Sequence, residues 1–184
     1  MNLWKDIKNQ PPYAPKVVYA VIETPKSSMN RYKYKTPKET FCLDRVLYST
    51  FHYPADYGII PQALGDNGNP MNILVLIDQP TFSGCLIKTR PIGVIKMRDD
   101  NERDDKVIGV PVNDPYSEET QDVKDLPTSL LDEITHFFRE YKKMQNINTE
   151  ILGWENKKEA IRIIKRSMDR YNEMLSIKSL FLLD

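Results

Sequence analysis

The chain has 184 residues, of which 40% are hydrophobic and 28% charged, and 26 basic and 26 acidic residues give a formal net charge of zero. This composition indicates one globular domain and argues against a disordered chain or a nucleic-acid partner, which would call for a basic surface. No apolar run approaches the roughly 20 residues that span a bilayer. The start of the chain also lacks the apolar core of a signal peptide, so we expect a cytoplasmic protein with no membrane partner.

Short β-like runs dominate the first two thirds of the chain. Residues 1–15 are polar and contain three prolines, which predicts an N-terminal arm lying over a single domain at 16–175, followed by an apolar C-terminal tail at 176–184. The runs are separated by Gly, Pro, Asn and Asp, as is typical of an antiparallel sheet or a closed barrel. They cover residues 16–24, 31–36, 41–48, 72–77, 85–90, 91–98 and 106–111.

Two amphipathic helices are predicted after the strands. Apolar residues recur at helical spacing from Leu126 to Tyr141, with Asp125 as the expected N-cap. A second helix follows Asn156, which together with Glu159 resembles a capping box. The pattern predicts a mainly β fold with flanking helices (α+β), a barrel closed by two C-terminal helices. We expect the apolar tail to pack on the domain or at a subunit contact.

Residues with chemical potential concentrate between positions 41 and 111. Asp44 and Arg45 end one run, and Tyr53 and Tyr57 stand four apart around a proline. An Asn-rich loop follows, and residues 96–106 then contain five acids and four basic residues. Each feature alone has an ordinary structural explanation, such as core aromatics or a solvated hairpin tip. Their combination and order are more informative.

In chain order, these motifs resemble the soluble inorganic pyrophosphatase family over about residues 16 to 172. The resemblance implies a closed five-stranded OB-like barrel with flanking helices. It also implies Mg²⁺-dependent hydrolysis of diphosphate to two phosphates, because the metal ions neutralise the polyanion and activate water. The matching motifs are Glu23-x-Pro25, Arg31-Tyr32, Asp44-Arg45, Tyr53-Pro54-x-x-Tyr57-Gly58, Gly68-Asn69-Pro70, Lys96-Met97-x-Asp99, Tyr141-Lys142 and Gly153-Trp154-Glu155.

The resemblance assigns site residues position by position. Tyr57 is placed beside the reacting groups, and Asp99 and Asp104 fall on metal-ligand positions. Glu23 and Tyr53 are expected to line the site, and Arg31 stands where the family usually has Lys. The residues expected to bind the substrate phosphates are Arg31, Arg45, Tyr57, Lys106, Tyr141 and Lys142.

Four family acids are replaced in this chain. Asn67 and Asn72 occupy metal-ligand positions, and Asn69 occupies the position of the catalytic base. Lys33 stands where the family usually has Glu, so five units of negative charge are missing from one pocket. An amide can offer a neutral oxygen to a metal, but it supplies no charge and accepts no proton. The sequence therefore predicts weakened Mg²⁺ binding and strongly impaired diphosphatase activity.

Several hypotheses remain open at this point. The chain is an impaired enzyme or a non-catalytic paralogue that binds pyrophosphate or phosphate and regulates other subunits. An active enzyme with altered metal use would have to recruit other acids, and engineered trapping of substrate would explain the amides but not Lys33. The acids available for recruitment are Asp66, Asp100, Glu102 and Asp105.

The expected assembly is a homo-oligomer, with a hexamer favoured because the length resembles that of compact family members. A hetero-oligomer with an active homologue is the alternative.

Overall fold

The structure, a computed structural model, describes residues 1–7, 13–48 and 50–180, with side chains up to residue 177. Nine strands and two helices lie in these ranges. They are β1 (Val18–Thr24), β2 (Asn30–Lys35), β3 (Thr40–Val46), β4 (Asp56–Leu64), β5 (Pro70–Val75), β6 (Leu86–Asp99), β7 (Glu102–Arg103), β8 (Lys106–Pro111), α1 (Thr128–Glu140), β9 (Thr149–Asn156) and α2 (Lys157–Leu180).

Five strands close into a barrel. They follow the order β1-β4-β5-β8-β6, and β6 pairs back with β1 to complete the ring. Every neighbour in the ring is antiparallel except β5 and β8, which run parallel. Strands β7 and β9 extend β6 beyond the ring, and β2 and β3 form a separate hairpin. The expected mainly β fold with a five-stranded barrel and two flanking helices is confirmed.

The strand boundaries differ from the sequence prediction in four places, one of which is the two-residue strand β7, which was not predicted. The runs at 85–90 and 91–98 form one long strand, β6, because a register shift between Pro91 and Gly93 lets the strand continue past the proline. Strand β9 was not predicted. Neither was β4, where Gly58 allows a close approach to β1, since a Cβ there would lie 2.1 Å from the Val21 carbonyl oxygen.

The two helices cover different sides of the barrel. In α1, Phe137 and Phe138 are buried in a cluster with residues of β4, β5, β6 and β8. In α2, Ala160 and Ile164 belong to a second cluster with β1, β4 and β5. Helix α1 begins after Pro127 rather than at the predicted cap Asp125. Among the described residues, no helix is long and apolar enough to cross a membrane.

The N-terminal residues and the hairpin pack together with α2 on one side of the barrel. Trp4 is buried, and its ring lies 5.1 Å from that of Tyr171 on α2. The Tyr34 hydroxyl of β2 accepts a hydrogen bond from the Leu3 amide at 3.0 Å. Helix α2 continues to Leu180, so the first part of the predicted tail is helical. Residues 181–184 of that tail lie outside the described residues.

Candidate functional site

A cavity of about 420 Å³ opens where the hairpin, the barrel and the segment after α1 meet. Six basic and four acidic side chains line it, which gives a formal net charge of +2. The other lining groups include three asparagines and one tyrosine ring from β4. The ionisable lining residues are Glu23, Arg31, Lys33, Lys35, Arg45, Asp99, Glu102, Asp104, Lys106 and Lys142.

Twelve of the fourteen site residues expected from the sequence line this cavity. They come from β1, the hairpin, β4, the loop before β5, β5 itself, the ends of β6 and β8, and the segment after α1. They are Glu23, Arg31, Lys33, Arg45, Tyr57, Asn67, Asn69, Asn72, Asp99, Asp104, Lys106 and Lys142.

Tyr53 and Tyr141 do not line the cavity but support residues that do. The Tyr141 ring stacks on that of Phe137, and the Lys142 ammonium lies 5.3 Å from the centre of the Tyr141 ring. The Tyr53 ring lies 5.5 Å from that of Tyr57. The Tyr53 hydroxyl is buried and finds no hydrogen-bond partner among the described residues. The prediction that Tyr141 joins the other donors on the concave face stays a prediction: burial raises the pKa of Tyr141, and the neighbouring cations Lys142 and Arg31 oppose that shift.

Two lysines and two aspartates form a cluster in which every charge is matched. We call Asp99, Asp104, Lys106 and Lys142 the lysine–aspartate cluster. Asp104 forms an ion pair with Lys106 and lies 3.6 Å from the Lys142 ammonium, which also pairs with Asp99. Burial by itself raises the pKa of Asp104, but Lys106 and Lys142 lower that pKa to about 2. Both aspartates are thus already neutralised by the chain's own lysines.

The side chains of Asn67, Asn69 and Asn72 join the same network. The parallel register of β5 and β8 places Asn72 opposite Lys106, and the Asn72 carbonyl oxygen accepts from the ammonium at 3.0 Å. The Asn67 amide donates to Asp104 at 3.2 Å, and its oxygen accepts from the Asn69 backbone at 3.1 Å. The asparagines therefore satisfy one another and the lysine–aspartate cluster without contributing charge.

The hairpin presents a second set of charged residues. We call Arg31, Lys33, Lys35, Asp44 and Arg45 the hairpin cluster. Asp44 lies 2.9 Å from Arg45, 3.5 Å from Lys35 and 3.6 Å from Arg31. The Lys33 ammonium has no hydrogen bond or ion pair within the described ranges. Burial, followed by the proximity of Arg31, lowers the pKa of Lys33. Three cations therefore share one carboxylate while Lys33 forms no ion pair within the described ranges, and this side of the cavity carries the excess positive charge.

Glu23 is buried between the barrel and the hairpin. Its carboxylate accepts a hydrogen bond from the Tyr34 amide at 2.8 Å. Burial raises the pKa of Glu23 to about 7, although that hydrogen bond and the nearby Arg31 and Lys33 oppose the shift. Glu23 therefore offsets little of the positive charge of the hairpin cluster below neutral pH.

Only one of the four acids available for recruitment lines the cavity. Asp66 forms ion pairs with Arg170 and Arg166 of α2. Asp105 pairs with Arg103 at 2.9 Å and accepts from the Met97 amide, while Asp100 accepts from the Asn148 amide. Glu102 alone is placed at the cavity. Among the described residues, no three His, Cys, Asp or Glu side chains are grouped so that they could hold a metal ion.

Sequence reasoning missed one member of the hairpin cluster, Lys35. It also missed that Asp44 is the carboxylate with which the cations of the cluster pair. The signal for Lys35 was present, because Arg31, Lys33 and Lys35 alternate along a predicted strand and so share one face. The role of Asp44 could not be found in this way. A register shift beside Arg31 in the hairpin brings Asp44 among the cations.

Comparison with known proteins defines the class of protein. The family model described as inorganic pyrophosphatase matches residues 20–172. The chain therefore belongs to the inorganic pyrophosphatase family.

Individual relatives match nearly the whole chain. An inorganic pyrophosphatase from Haloferax volcanii is 46% identical over 174 residues, which cover 94% of this chain and 98% of the relative. One from Geobacillus stearothermophilus is 47% identical and covers 86% of this chain and 96% of its own. The crystal structure of the inorganic pyrophosphatase from Thermus thermophilus superposes with a TM-score of 0.88 at 36% identity, over 94% of this chain and 99% of that one.

Proposed function

We propose that this chain binds pyrophosphate or phosphate in the cavity and hydrolyses pyrophosphate far more slowly than a typical member of its family. The observation that carries the proposal is the state of the two remaining metal-ligand acids. Asp99 and Asp104 are ion-paired with Lys142 and Lys106, and amides occupy the neighbouring ligand positions 67 and 72.

These residues do not fit the Mg²⁺ ions on which the family's chemistry depends. A Mg²⁺ site needs oxygen ligands that carry charge, and both carboxylates here would have to give up a lysine first. Asn67 and Asn72 offer one neutral oxygen each, and the Asn72 oxygen already accepts from Lys106. We therefore infer weakened Mg²⁺ binding, and we assign no step to a metal ion.

The cavity supports binding of an anion by the chain's own donors. Arg31 and Arg45 offer planar guanidinium groups that match phosphate oxygens, and Lys106 and Lys142 offer ammonium groups. The Tyr57 side chain reaches the cavity, and burial raises its pKa well above the usual value, so it remains a hydroxyl donor. A bound diphosphate would be held and oriented by these five side chains.

The position of the family's base offers no group that could activate water. Position 69 holds an amide, whose side chain cannot accept a proton, and its NH₂ group lies 3.4 Å from the Asn67 carbonyl oxygen. Loss of a general base commonly costs about 10²–10⁴ in rate. Weaker stabilisation of charge by metal ions lowers the rate further. Because both losses act on the same attacking water molecule, their effects on the rate do not multiply fully.

A weak enzyme with altered metal use is the second candidate, and the position of Glu102 favours it. This carboxylate lines the cavity and forms no ion pair among the described residues. A non-catalytic regulatory subunit, assembled as a hexamer or with an active homologue in the cytoplasm, is compatible with the first candidate.

The test combines a rate and a binding measurement. Phosphate release from Mg-pyrophosphate should be slower than that of a typical family member by at least ~10³-fold, with protein from a host whose own enzyme cannot contaminate it. Calorimetry should show pyrophosphate binding without Mg²⁺. Turnover at a rate typical of the family would refute the proposal, and affinity that requires Mg²⁺ would favour the second candidate.

A further inference from the structure

The position of the hairpin on the barrel depends on contacts outside the sheet. Within the described residues, β2 and β3 pair only with each other, so no strand ladder joins them to the barrel. Arg31 and Arg45, which the proposed function assigns to the anion, lie on this hairpin. The other two cations assigned to the anion, Lys106 and Lys142, lie on β8 and after α1. Whatever holds the hairpin in place therefore fixes the distance between the two pairs of cations.

The middle of β2 is held by β1. The Thr24 hydroxyl donates to the Tyr32 carbonyl oxygen at 2.9 Å and accepts from the Tyr32 amide at 3.0 Å. The Glu23 carboxylate accepts from the Tyr34 amide at 2.8 Å. These hydrogen bonds stop before the turn of the hairpin at residues 36–39, which needs contacts of its own.

The N-terminal residues hold this turn. Asn2 is buried, and its side-chain amide donates to the Thr36 carbonyl oxygen at 3.0 Å. The side-chain oxygen of the same residue accepts from the backbone amides of Trp4 and Lys5, both at 3.1 Å. One side chain therefore both folds the N-terminal residues into a turn and joins them to the hairpin.

The N-terminal turn is itself anchored to the barrel and to α2. The Trp4 carbonyl oxygen accepts from the Gln62 backbone amide at 2.9 Å, and the Trp4 indole donates to the Ala63 carbonyl oxygen at 3.3 Å. The Trp4 ring packs edge-on against that of Tyr171. Residues 2–4 therefore bridge β4 and α2 to the turn of the hairpin, and we call them the N-terminal strap.

The N-terminal strap meets the hairpin beside the cavity. Tyr34, whose hydroxyl accepts from the Leu3 amide at 3.0 Å, and Thr36 both line the cavity and flank Lys35 in the chain. The lining residues do not include Asn2. An effect of Asn2 on a bound anion would therefore act through the hairpin rather than through contact with the ligand.

We propose that Asn2 is a positioning residue for anion binding, because its amide holds the hairpin turn and so keeps Arg31 and Arg45 facing the lysines of the barrel side. The inference rests on the proposed function, since it concerns the affinity of that site for pyrophosphate. When the hydrogen bond to Thr36 is lost, the hairpin is displaced for part of the time. The apparent affinity then falls with the fraction of molecules whose hairpin is correctly placed.

Calorimetry of the full chain with pyrophosphate, in a metal-free buffer with chelator, tests this inference. Asn2→Ser keeps a side-chain oxygen for the Trp4 and Lys5 amides but is too short to reach Thr36. It should weaken pyrophosphate binding about fivefold, as expected for the loss of one hydrogen bond. The matched control is Ile164→Val, which removes one buried methyl group from the α2 side of the barrel. It should cost similar stability and leave the affinity unchanged.

Hydrogen exchange at the Leu3 amide, whose acceptor is the Tyr34 hydroxyl, provides a second readout. Coupling between two sites is reciprocal, so a bound anion that holds the hairpin also holds the N-terminal strap. Saturating pyrophosphate should therefore slow exchange at Leu3 in the wild type, and by much less in Asn2→Ser. A side chain that only stabilises the fold would not make this exchange depend on the anion.

The outcomes separate this inference from the proposed function. Unchanged pyrophosphate affinity in Asn2→Ser, an equal loss in Ile164→Val, or exchange at Leu3 that does not respond to pyrophosphate overturns the inference alone. Absence of pyrophosphate binding by the wild type overturns the proposed function and the inference together. The exchange measurement on the wild type needs no variant, so it decides the inference even if Asn2→Ser does not fold.

Discussion

The lysine–aspartate cluster and the hairpin cluster face one cavity but differ in charge balance. In the first, two ammonium groups match two carboxylates, and the pairs are largely removed from solvent. In the second, Arg31, Lys35 and Arg45 share Asp44, Lys33 forms no ion pair within the described ranges, and Glu23 offsets little of this charge below neutral pH. The two sides of the cavity therefore differ in how much of their charge the chain itself balances. Asp99 and Asp104 are partners of the chain's own lysines, whereas the hairpin carries more positive charge than Asp44 can balance.

The largest expected effect comes from introducing acids at four positions around the cavity together. The variant Asn67→Asp/Asn69→Asp/Asn72→Asp/Lys33→Glu should hydrolyse Mg-pyrophosphate about 10³-fold faster than wild type, equivalent to about 4 kcal/mol. It restores the negative charge and the base that the family's chemistry needs. Phosphate release is the measurement.

Partial variants serve as controls for this prediction. Each single asparagine reversion should have little effect, because one added carboxylate does not form a metal site. Asn172→Asp, on the exposed side of α2, should have no effect. A quadruple variant that folds but gains neither Mg²⁺ affinity nor turnover would show that other residues are missing from the site.

A smaller effect is expected from breaking the lysine–aspartate cluster. Lys106→Met should lower the free energy of unfolding by about 3 kcal/mol, because Asp104 loses its closest cation in a buried setting. Urea denaturation at neutral pH is the measurement. Adding Asp104→Asn should recover most of the loss, and the exposed Lys35→Gln should cost less than about 1 kcal/mol. Equal losses for Lys106→Met and Lys35→Gln would remove the distinction between the two clusters.

The smallest effect concerns the pH dependence of Glu23. Its folded-state pKa of about 7 lies above the ordinary value of 4.5, so the folded state holds the proton more tightly. The stabilisation is complete below pH 4.5 and is lost as pH rises through 7. Wild type should therefore lose about 2 kcal/mol of stability between pH 5 and pH 8 relative to Glu23→Gln, which cannot titrate. Urea denaturation at both pH values measures it, and parallel curves for the two proteins would contradict the assignment.

The sequence predicted the barrel and most of the cavity lining, but for different reasons. Short runs rich in β-branched residues, such as Lys106–Pro111 of β8, reveal strands directly. The closure of the barrel by β1 and β6 is a long-range pairing that no local pattern specifies. Strand β4 was missed because Tyr57 and Gly58 were interpreted as a motif, and the close approach that Gly58 permits appears only once β1 lies beside it.

The site residues were found through resemblance, whereas their interactions were not. A resemblance assigns Lys106 to a substrate phosphate and Asp104 to a metal ion, but it cannot show that the two side chains pair with each other in this chain. The packing of Tyr141 could not be predicted from the resemblance either. Its ring is held by stacking on Phe137, and this packing depends on how α1 docks on the barrel.

The parallel register of β5 and β8 has a consequence for how this site could change over evolutionary time. Because Asn72 lies directly opposite Lys106, a carboxylate introduced at position 72 meets that ammonium before it meets any metal. A single mutation to an acid at position 72 would stabilise the fold through this ion pair without raising activity. Selection for catalysis alone would therefore not favour the first of the substitutions that are needed. Under the proposed function, acids at several of these positions would have to appear together before activity rose.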